Sequence, residues 1–397
     1  MNDTDIIISG GGLAGLMAAI SFGTQGFKVL CIEPKMPVTN AADRGADLRS
    51  TAILQASYPV LERAGLWQHL ENHATPLQVM RIIDAGGPIP IRRVIKEFNA
   101  ADLGDLPFGW NFPNWLLRRA LLARLTELPH VTLRTGLSCT AIFTRLNWVR
   151  VTLSTGEKVT AKLLVGADGR HSFVREASNI GVKTWRYGQK ALVFSVLHDA
   201  PHHNISTEVH RTGGPFTLVP LPDDNYQPAS AVVWMDLGPH SVRNAALSES
   251  DFNQAITERS AGILGALRLN SPRTLWPIIS QLADHLVGER VALMAEAAHV
   301  IPPIGAQGLN MSLADVATLL DLATAYRTDL GCSAMLAAYQ KARCFKTKTR
   351  VLGIDALNRA SMIKIPSLGN LRRLGLSAIY DLKPLRHRIM EKGLGLT

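Results

Sequence analysis

The sequence predicts an α/β fold: a Rossmann-like domain interrupted by an antiparallel β-sheet and followed by a helical, basic C-terminal region. Three observations lead there. Residues 5–35 read as a buried strand (DIIIS), a glycine turn (GGGLAG), a helix (LMAAISFGTQG) and a second strand (FKVLCIEP), the opening of a parallel sheet. Over residues 191–236 the pattern changes to longer strand signals, ALVFSVLHDA, ISTEVHRT, PFTLVPLP and ASAVVWMD, with turns at Gly213-Gly214 and at residues 222–225. After Gly308 helical spacing dominates.

Between these landmarks the elements follow in order. A polar loop covers residues 37–49, and a helix is expected over 50–64, stopped by Gly65. PNWLLRRALLARLTEL (113–128) has apolar residues at helical spacing, with Asn114 as its N-cap. VTLRTG, CTAIFTRL, VRVTLSTG and KLLVGADG read as strands separated by polar or glycine turns. A helix is expected over 249–269, and RVALMAEAAH (290–299) reads as another buried strand. The expected organisation places residues 1–75, 101–180 and 281–330 in the Rossmann-like domain. Residues 76–100 and 181–280 then form the sheet domain, and 331–397 the C-terminal region.

Composition narrows the classes. The chain has 397 residues, 47% of them hydrophobic and 19% charged, which fits a globular protein with ample core. No apolar run approaches the ~20 residues of a membrane-spanning helix. The start MNDTDIIISGGG has no basic region or cleavage site, so no secretory signal is expected. Cys31, Cys139, Cys332 and Cys344 lie far apart without metal-ligand spacing, so no metal is expected and a reducing cytoplasm suits them. The His202-His203 pair lacks further ligands. From Lys341 onward there are thirteen Lys or Arg against three acids, an excess of ten equal to the whole chain's net charge of +10. Such a tail fits nucleic acid, an anionic membrane or a solvated face, but its interleaved Leu, Ile and Met argue against the last.

Gly10-Gly11-Gly12-Leu13-Ala14-Gly15 fits G-x-G-x-x-G between a strand and a helix. Gly10 allows the tight turn, Gly12 lets backbone approach a pyrophosphate, and Gly15 permits close helix–strand packing. Glu33 ends the next strand 18 residues beyond Gly15, placed to accept a ribose hydroxyl. The context points to an adenine dinucleotide, and leaves open whether it is NAD or FAD. Two later elements bear on that choice. One is GADGRHSFVRE with Asp168, Arg170, Ser172 and Arg175. The other is AEAAHVIPPIGAQGLNMSLAD, with Glu296, His299, Pro303, Gly305, Gln307, Gly308, Leu309 and Asn310.

On GGGLAGLMAA, the Asp47/Arg49 pair, ADGRHSFVR, GPFTLVPLP followed by VVW, and PPIGAQGLN, the chain resembles the class A flavin monooxygenases. Within them it resembles the ubiquinone-biosynthesis hydroxylases, over nearly its whole length. The resemblance implies an aromatic-hydroxylase-like fold with FAD bound by Gly10, Gly12, Leu13, Ala14, Gly15, Glu33, Arg49, Asn114, Asp168, Glu296, Gly305, Gln307, Gly308, Leu309 and Asn310. Asp168 would lie where FAD and a visiting NADH or NADPH meet, and the carboxylate at 296 would hold the ribityl chain. The family usually reads Gly-Asp where this chain has Ala295-Glu296. Asn114 matches the ubiquinone-type members, since simpler aromatic hydroxylases often carry Arg or Gln there. The helix from Leu309 would direct its positive end at the flavin.

The implied reaction is hydroxylation of a phenolic ring of a polyprenylated ubiquinone precursor, by O2 activated as a flavin C4a-hydroperoxide after reduction by NAD(P)H. No acid or base is assigned. The residues nearest the flavin are expected to be His299, Pro303, Gly305 and Gln307, with His299 read foremost as a packed residue. Implied partners are the lipid-borne phenol, O2, other ubiquinone-biosynthesis proteins and an anionic membrane surface, contacted from the cytoplasmic side through residues 362–390. The alternative for that tail is a helical pair packed on the FAD domain. Two further readings stay open: a flavin oxidoreductase without hydroxylation, and a non-catalytic flavoprotein of a biosynthetic complex. A nucleic-acid partner explains none of the glycine motifs.

Overall fold

Five parallel strands drawn from distant stretches of the chain meet in one sheet. The computed structural model describes residues 4–85, 94–211, 213–362 and 383–396. The order across this sheet is Val287–Gly288, Val291–Leu293, Leu163–Gly166, Ile6–Ser9, Val29–Glu33 and Val131–Thr135, with only Val287–Gly288 antiparallel. Ile6, Ile7 and Ile8 are fully buried, as a central strand covered on both faces requires. Ser9 pairs with Gly166 and with Ile32, and Gly166 with Leu293. That register brings the glycine turn, Asp168, the end of the Glu33 strand and the Ala295 turn out at one edge, the carboxyl ends of the strands, where sheets of this kind bind ligands.

A second, nine-stranded and largely antiparallel sheet is built on the 17-residue strand Val182–His198, which pairs with Thr274–Ala283 and Gln227–Leu237. Its outer strands are Ile205–Arg211, Val79–Asp84 and Val94–Asn99. Alternation along these strands gives the sheet two apolar faces. Phe194, Val196, Phe216 and Trp234 pack on Phe252 and Ile256 of the helix Glu249–Arg259. Ala191, Val193, Met235 and Ile278 face the other way and pack with Tyr187, Trp276 and Ile304.

Several elements differ from their sequence reading. Residues 50–54 form a strand, Ser50–Leu54, paired with Gly109–Pro113, and the helix starts only at Tyr58 beside Pro59. The distant Asn310 side chain holds this strand: its Oδ1 accepts from the Leu54 N–H and its Nδ2 donates to the Ala52 carbonyl, both at 2.8 Å. Asn114 is the first residue inside the helix Asn114–Thr126, not its cap, because its side chain is taken by Asp47 and Thr51. The helix expected to 269 ends at Arg259, where Ala261 and Gly262 take left-handed angles, and a strand Leu267–Leu269 follows. Residues 290–299 give a strand only at Val291–Leu293. The chain then turns at Ala295, and His299–Val300 joins the second sheet.

The C-terminal side is helical, with Gln307–Ala325, Ser333–Met362 and Lys383–Leu394. Of the tail expected at a membrane, Lys364, Arg372 and Arg373 lie outside the described residues. The helix Lys383–Leu394 packs on the protein: Met390 and Leu394 are buried among Ala52, Leu54, Leu77, Phe98 and Phe108, and Arg386 reaches Asp102 at 3.2 Å. Among the described residues no helix is long and apolar enough to cross a membrane.

Asp315, 1% exposed, joins these parts. Its Oδ2 accepts from His299 Nε2 at 2.7 Å and from the Ala295 N–H at 3.1 Å, and its Oδ1 accepts from Arg343 Nε at 2.7 Å. Burial opposes ionisation of Asp315, but His299 and Arg343 outweigh it and hold the carboxyl below its ordinary range. A carboxyl depressed in the folded state stabilises above its unfolded pKa of about 3.9, and that contribution is lost as pH falls through the folded value. Asp315→Asn removes the charge and leaves at least one buried donor unmatched, and is expected to cost about 3–5 kcal/mol at pH 7 in urea unfolding. The gap from wild type should shrink below about pH 4; a gap independent of pH contradicts a charged Asp315.

Candidate active site

The glycine turn is shaped by contacts that exclude side chains. Gly10 has φ +105°, and a Cβ there would strike the Ala167 carbonyl. A Cβ on Gly15 would collide with the Gly10 carbonyl oxygen. At Gly12 nothing lies within 4 Å of a Cβ position, and Gly12 caps the helix Leu13–Thr24 without any side-chain hydrogen bond. The first-turn N–H groups of that helix therefore have no side-chain cap, and open space lies beside Gly12, the arrangement a pyrophosphate needs. Glu33 ends its strand with Oε2 accepting from the Gly11 N–H at 2.6 Å and Oε1 from the Lys35 N–H at 3.1 Å. These bonds fix the carboxylate beside the turn and leave acceptor lone pairs for a ribose. The residues fit the adenosine and pyrophosphate of FAD.

A second cradle forms around Asp47. Arg49 donates to both Asp47 oxygens, at 2.8 and 2.7 Å, and lies 4.3 Å from the Trp276 ring centroid. Asn114 Nδ2 reaches Asp47 at 3.0 Å, Asn114 Oδ1 accepts from Thr51 at 2.7 Å, and Arg118 stands 3.6 Å away. Burial disfavours the charge on Asp47, yet Arg49, Asn114 and Arg118 hold its carboxyl below the usual range. Burial likewise opposes the Arg49 charge, and Asp47 with Glu296 raises its pKa above the ordinary value. Asn114 thus positions Asp47 and Arg49 and spends its side chain on them. This ion pair borders a 220 Å³ cavity whose far wall is Val193, Thr274 and Trp276 of the second sheet.

Asp168 accepts from the Ser172 hydroxyl at 2.5 Å and the Val174 N–H at 3.0 Å, so its carboxylate holds the start of the helix Phe173–Ala177. The turn before the helix Gln307–Ala325 has two successive left-handed residues, Gly305 (φ +63°) and Ala306 (φ +55°), and that helix also lacks a side-chain cap. Pro303, Gly305 and Gly308 are exposed and Leu309 half-buried. The uncapped end and bare glycines suit the polar edge of a flavin. Gln307 and Asn310 are differently employed. Gln307 donates to the Gly305 and Gly393 carbonyls and accepts from Arg350, tying the turn to the C-terminal helix. Asn310 spends its amide on Leu54, Ala52 and Ala306.

His299 is 3% exposed and bonded to Asp315, which withdraws it from the residues facing a flavin. Glu296 is exposed within a short helical turn whose other members, Ala295 and Ala297, are buried. Ala295 takes φ +54°, a left-handed conformation that glycine adopts freely and that is strained for alanine. Sequence reasoning missed Asp315, Arg343, Trp276 and Thr51. The signal for Asp315 was a lone carboxylate in an otherwise apolar helical stretch, GLNMSLADVATLL.

Gly12→Ala is expected to leave apoprotein stability within about 1 kcal/mol of wild type, the scale of a changed cap, yet weaken FAD binding by about tenfold or more. Gly15→Ala should destabilise the apoprotein itself. Thermal melts of both apoproteins with flavin titration check this, and full FAD affinity in Gly12→Ala contradicts the pyrophosphate assignment.

Comparison with known proteins agrees with this geometry. The profile of the family described as "FAD binding domain" matches residues 3–351. The ubiquinone hydroxylase UbiL of Rhodospirillum rubrum is 34% identical over 394 residues, covering 98% of this chain and 89% of that protein. The 3-demethoxyubiquinol 3-hydroxylase of Escherichia coli is 30% identical over 406 residues, covering 99% of each. The crystal structure of p-nitrophenol 4-monooxygenase PnpA from Pseudomonas putida superposes with a TM-score of 0.79 over 99% of both chains, and at 17% identity it speaks for the fold alone. A profile spanning most of the chain and relatives matched along nearly its full length show that the chain belongs to the FAD-binding-domain family, among the flavin-dependent hydroxylases of the ubiquinone type.

Proposed function

We propose that this chain uses FAD, NAD(P)H and O2 to hydroxylate the phenolic ring of a polyprenylated ubiquinone precursor. The observation that carries the reading is the apolar face of the second sheet, Ala191, Val193, Met235 and Ile278, packed with Ile304 of the turn expected to hold the flavin. An aromatic ring suits such a wall, which also excludes water from the reaction. Bound FAD supplies the redox and oxygen chemistry. The chain supplies orientation and charge. The glycine turn and Glu33 hold the adenosine half, the Asp47–Arg49 pair sets a cation beside Trp276, and the uncapped helix at Gln307 offers donors to developing negative charge.

The lipid tail of such a substrate motivates the proposed contact with an anionic membrane from the cytoplasmic side, and other biosynthetic proteins are proposed partners. The packed helix Lys383–Leu394 supports the structural alternative for its own part of the tail.

Two measurements test the function. Purified enzyme given NAD(P)H, ¹⁸O₂ and a prenylated phenol should yield a product carrying one labelled oxygen. Turnover without label supports the oxidoreductase reading, and no NAD(P)H consumption supports the reading as a non-catalytic flavoprotein of a biosynthetic complex. The second concerns Glu296, exposed on its turn and close enough to raise the Arg49 pKa. Loss of its hydrogen bonds to the ribityl chain in Glu296→Ala is expected to cost about 1–3 kcal/mol, roughly 5- to 150-fold in FAD affinity, with Glu296→Asp affected less. Equal retention of FAD in both variants contradicts that role.

A further inference from the structure

The helix Ser333–Met362 turns one face inward. Met335, Leu336, Tyr339, Arg343, Thr347, Val351, Ile354 and Asn358 are buried at spacings of three and four. The opposite side carries large apolar groups in the open, Phe345 at 77% exposed and Leu352 at 46%, while Leu357, 60% exposed, borders the inward face beside Asn358. Phe345 and Leu352 stand two turns apart on one stripe, which the exposed Ala356 continues. Lys341, Lys346 and Lys348 are exposed beside it and pair with no carboxylate among the described residues. The other cations of this helix are engaged. Arg343 holds Asp315, Arg350 holds Gln307 and the Lys392 carbonyl, and Arg359 holds Asp355. Asp355 is the only acid in the helix, and it also accepts from the Tyr187 hydroxyl at 2.6 Å. The outward face thus combines an apolar ridge with three unneutralised lysines.

We infer that this face, from Lys341 to Ala356, is the surface by which the protein docks on an anionic lipid bilayer. Charge decides the occupant. Phe and Leu beside unpaired Lys are the composition of a helix lying in a bilayer interface, where apolar groups enter the acyl boundary and lysines meet anionic headgroups. A protein partner on this face would have to desolvate three lysines. The inference rests on the proposed membrane contact, but moves it from residues 362–390 to a helix that precedes them, and the test separates the two.

Flavin-loaded protein is sedimented with vesicles of phosphatidylcholine alone or with about a third phosphatidylglycerol. Wild type is expected to bind the anionic vesicles and to be released by salt. Lys341→Gln/Lys346→Gln/Lys348→Gln should lose on the order of 100-fold in partition, at about fivefold per lysine. Phe345→Ser/Leu352→Ser should lose binding even in low salt. Flavin content, thermal melting and oxidation of a short water-soluble phenol should stay at wild-type level in both, so that failure of docking is distinct from failure of catalysis. Undiminished vesicle binding by both variants, or its loss only when Arg372 and Arg373 become Gln, overturns the assignment. A wild-type dimer in sedimentation without vesicles that Phe345→Ser/Leu352→Ser dissolves also overturns it, giving the face to a second copy.

Discussion

The buried carboxylate of Asp315 holds together three segments on which the site depends. Through the Ala295 N–H it fixes the turn that presents Glu296, and through His299 the point where the chain leaves one sheet for the other. Through Arg343 it fixes the long helix crossing behind both. A buried ion of this kind is costly unless every oxygen is matched, and here both oxygens are. The strained left-handed Ala295 persists because its N–H is held from behind. Asn310, five residues earlier on the same helix as Asp315, does the corresponding work for the strand Ser50–Leu54 that follows the Asp47–Arg49 pair.

The site is divided by chemistry. At the carboxyl edge of the parallel sheet lie helix ends, glycines and Glu33, suited to the charged and sugar parts of a dinucleotide. Across from it lies the apolar face around Met235 and Ile278, suited to a ring. Arg49, stacked on Trp276 and bound to Asp47, stands between the two. Nothing in this arrangement resembles a nucleophile paired with a base, and a family whose cofactor carries the reaction needs none.

Much of this was legible in the chain. The glycine turn, Glu33 and the alternating strands of the second sheet are local patterns, and local patterns survive in sequence. What was hidden depends on partners far away. Residues 50–54 read as the opening of the helix expected over 50–64, but Asn310, more than 250 positions on, and the strand Gly109–Pro113 claim their backbone. Asn114 carries the chemistry of a cap, and Asp47 with Thr51 redirects it. His299 attracted attention as a lone histidine, while its partner Asp315 sat unremarked in an apolar helix. Asn310 and Gln307 belong to the PPIGAQGLN motif that carries the resemblance, yet their side chains bind protein.

A double-mutant cycle on FAD affinity tests most directly whether Asp315 positions the cofactor turn. Dissociation constants are measured for wild type, Glu296→Ala, Asp315→Ala and the double variant, in each case on protein that still unfolds cooperatively. If Asp315 acts by presenting Glu296, Glu296→Ala weakens binding far less in the Asp315→Ala background than in wild type, a coupling of at least about 0.5 kcal/mol. Fully additive losses would contradict the anchor and leave Asp315 a role in stability alone.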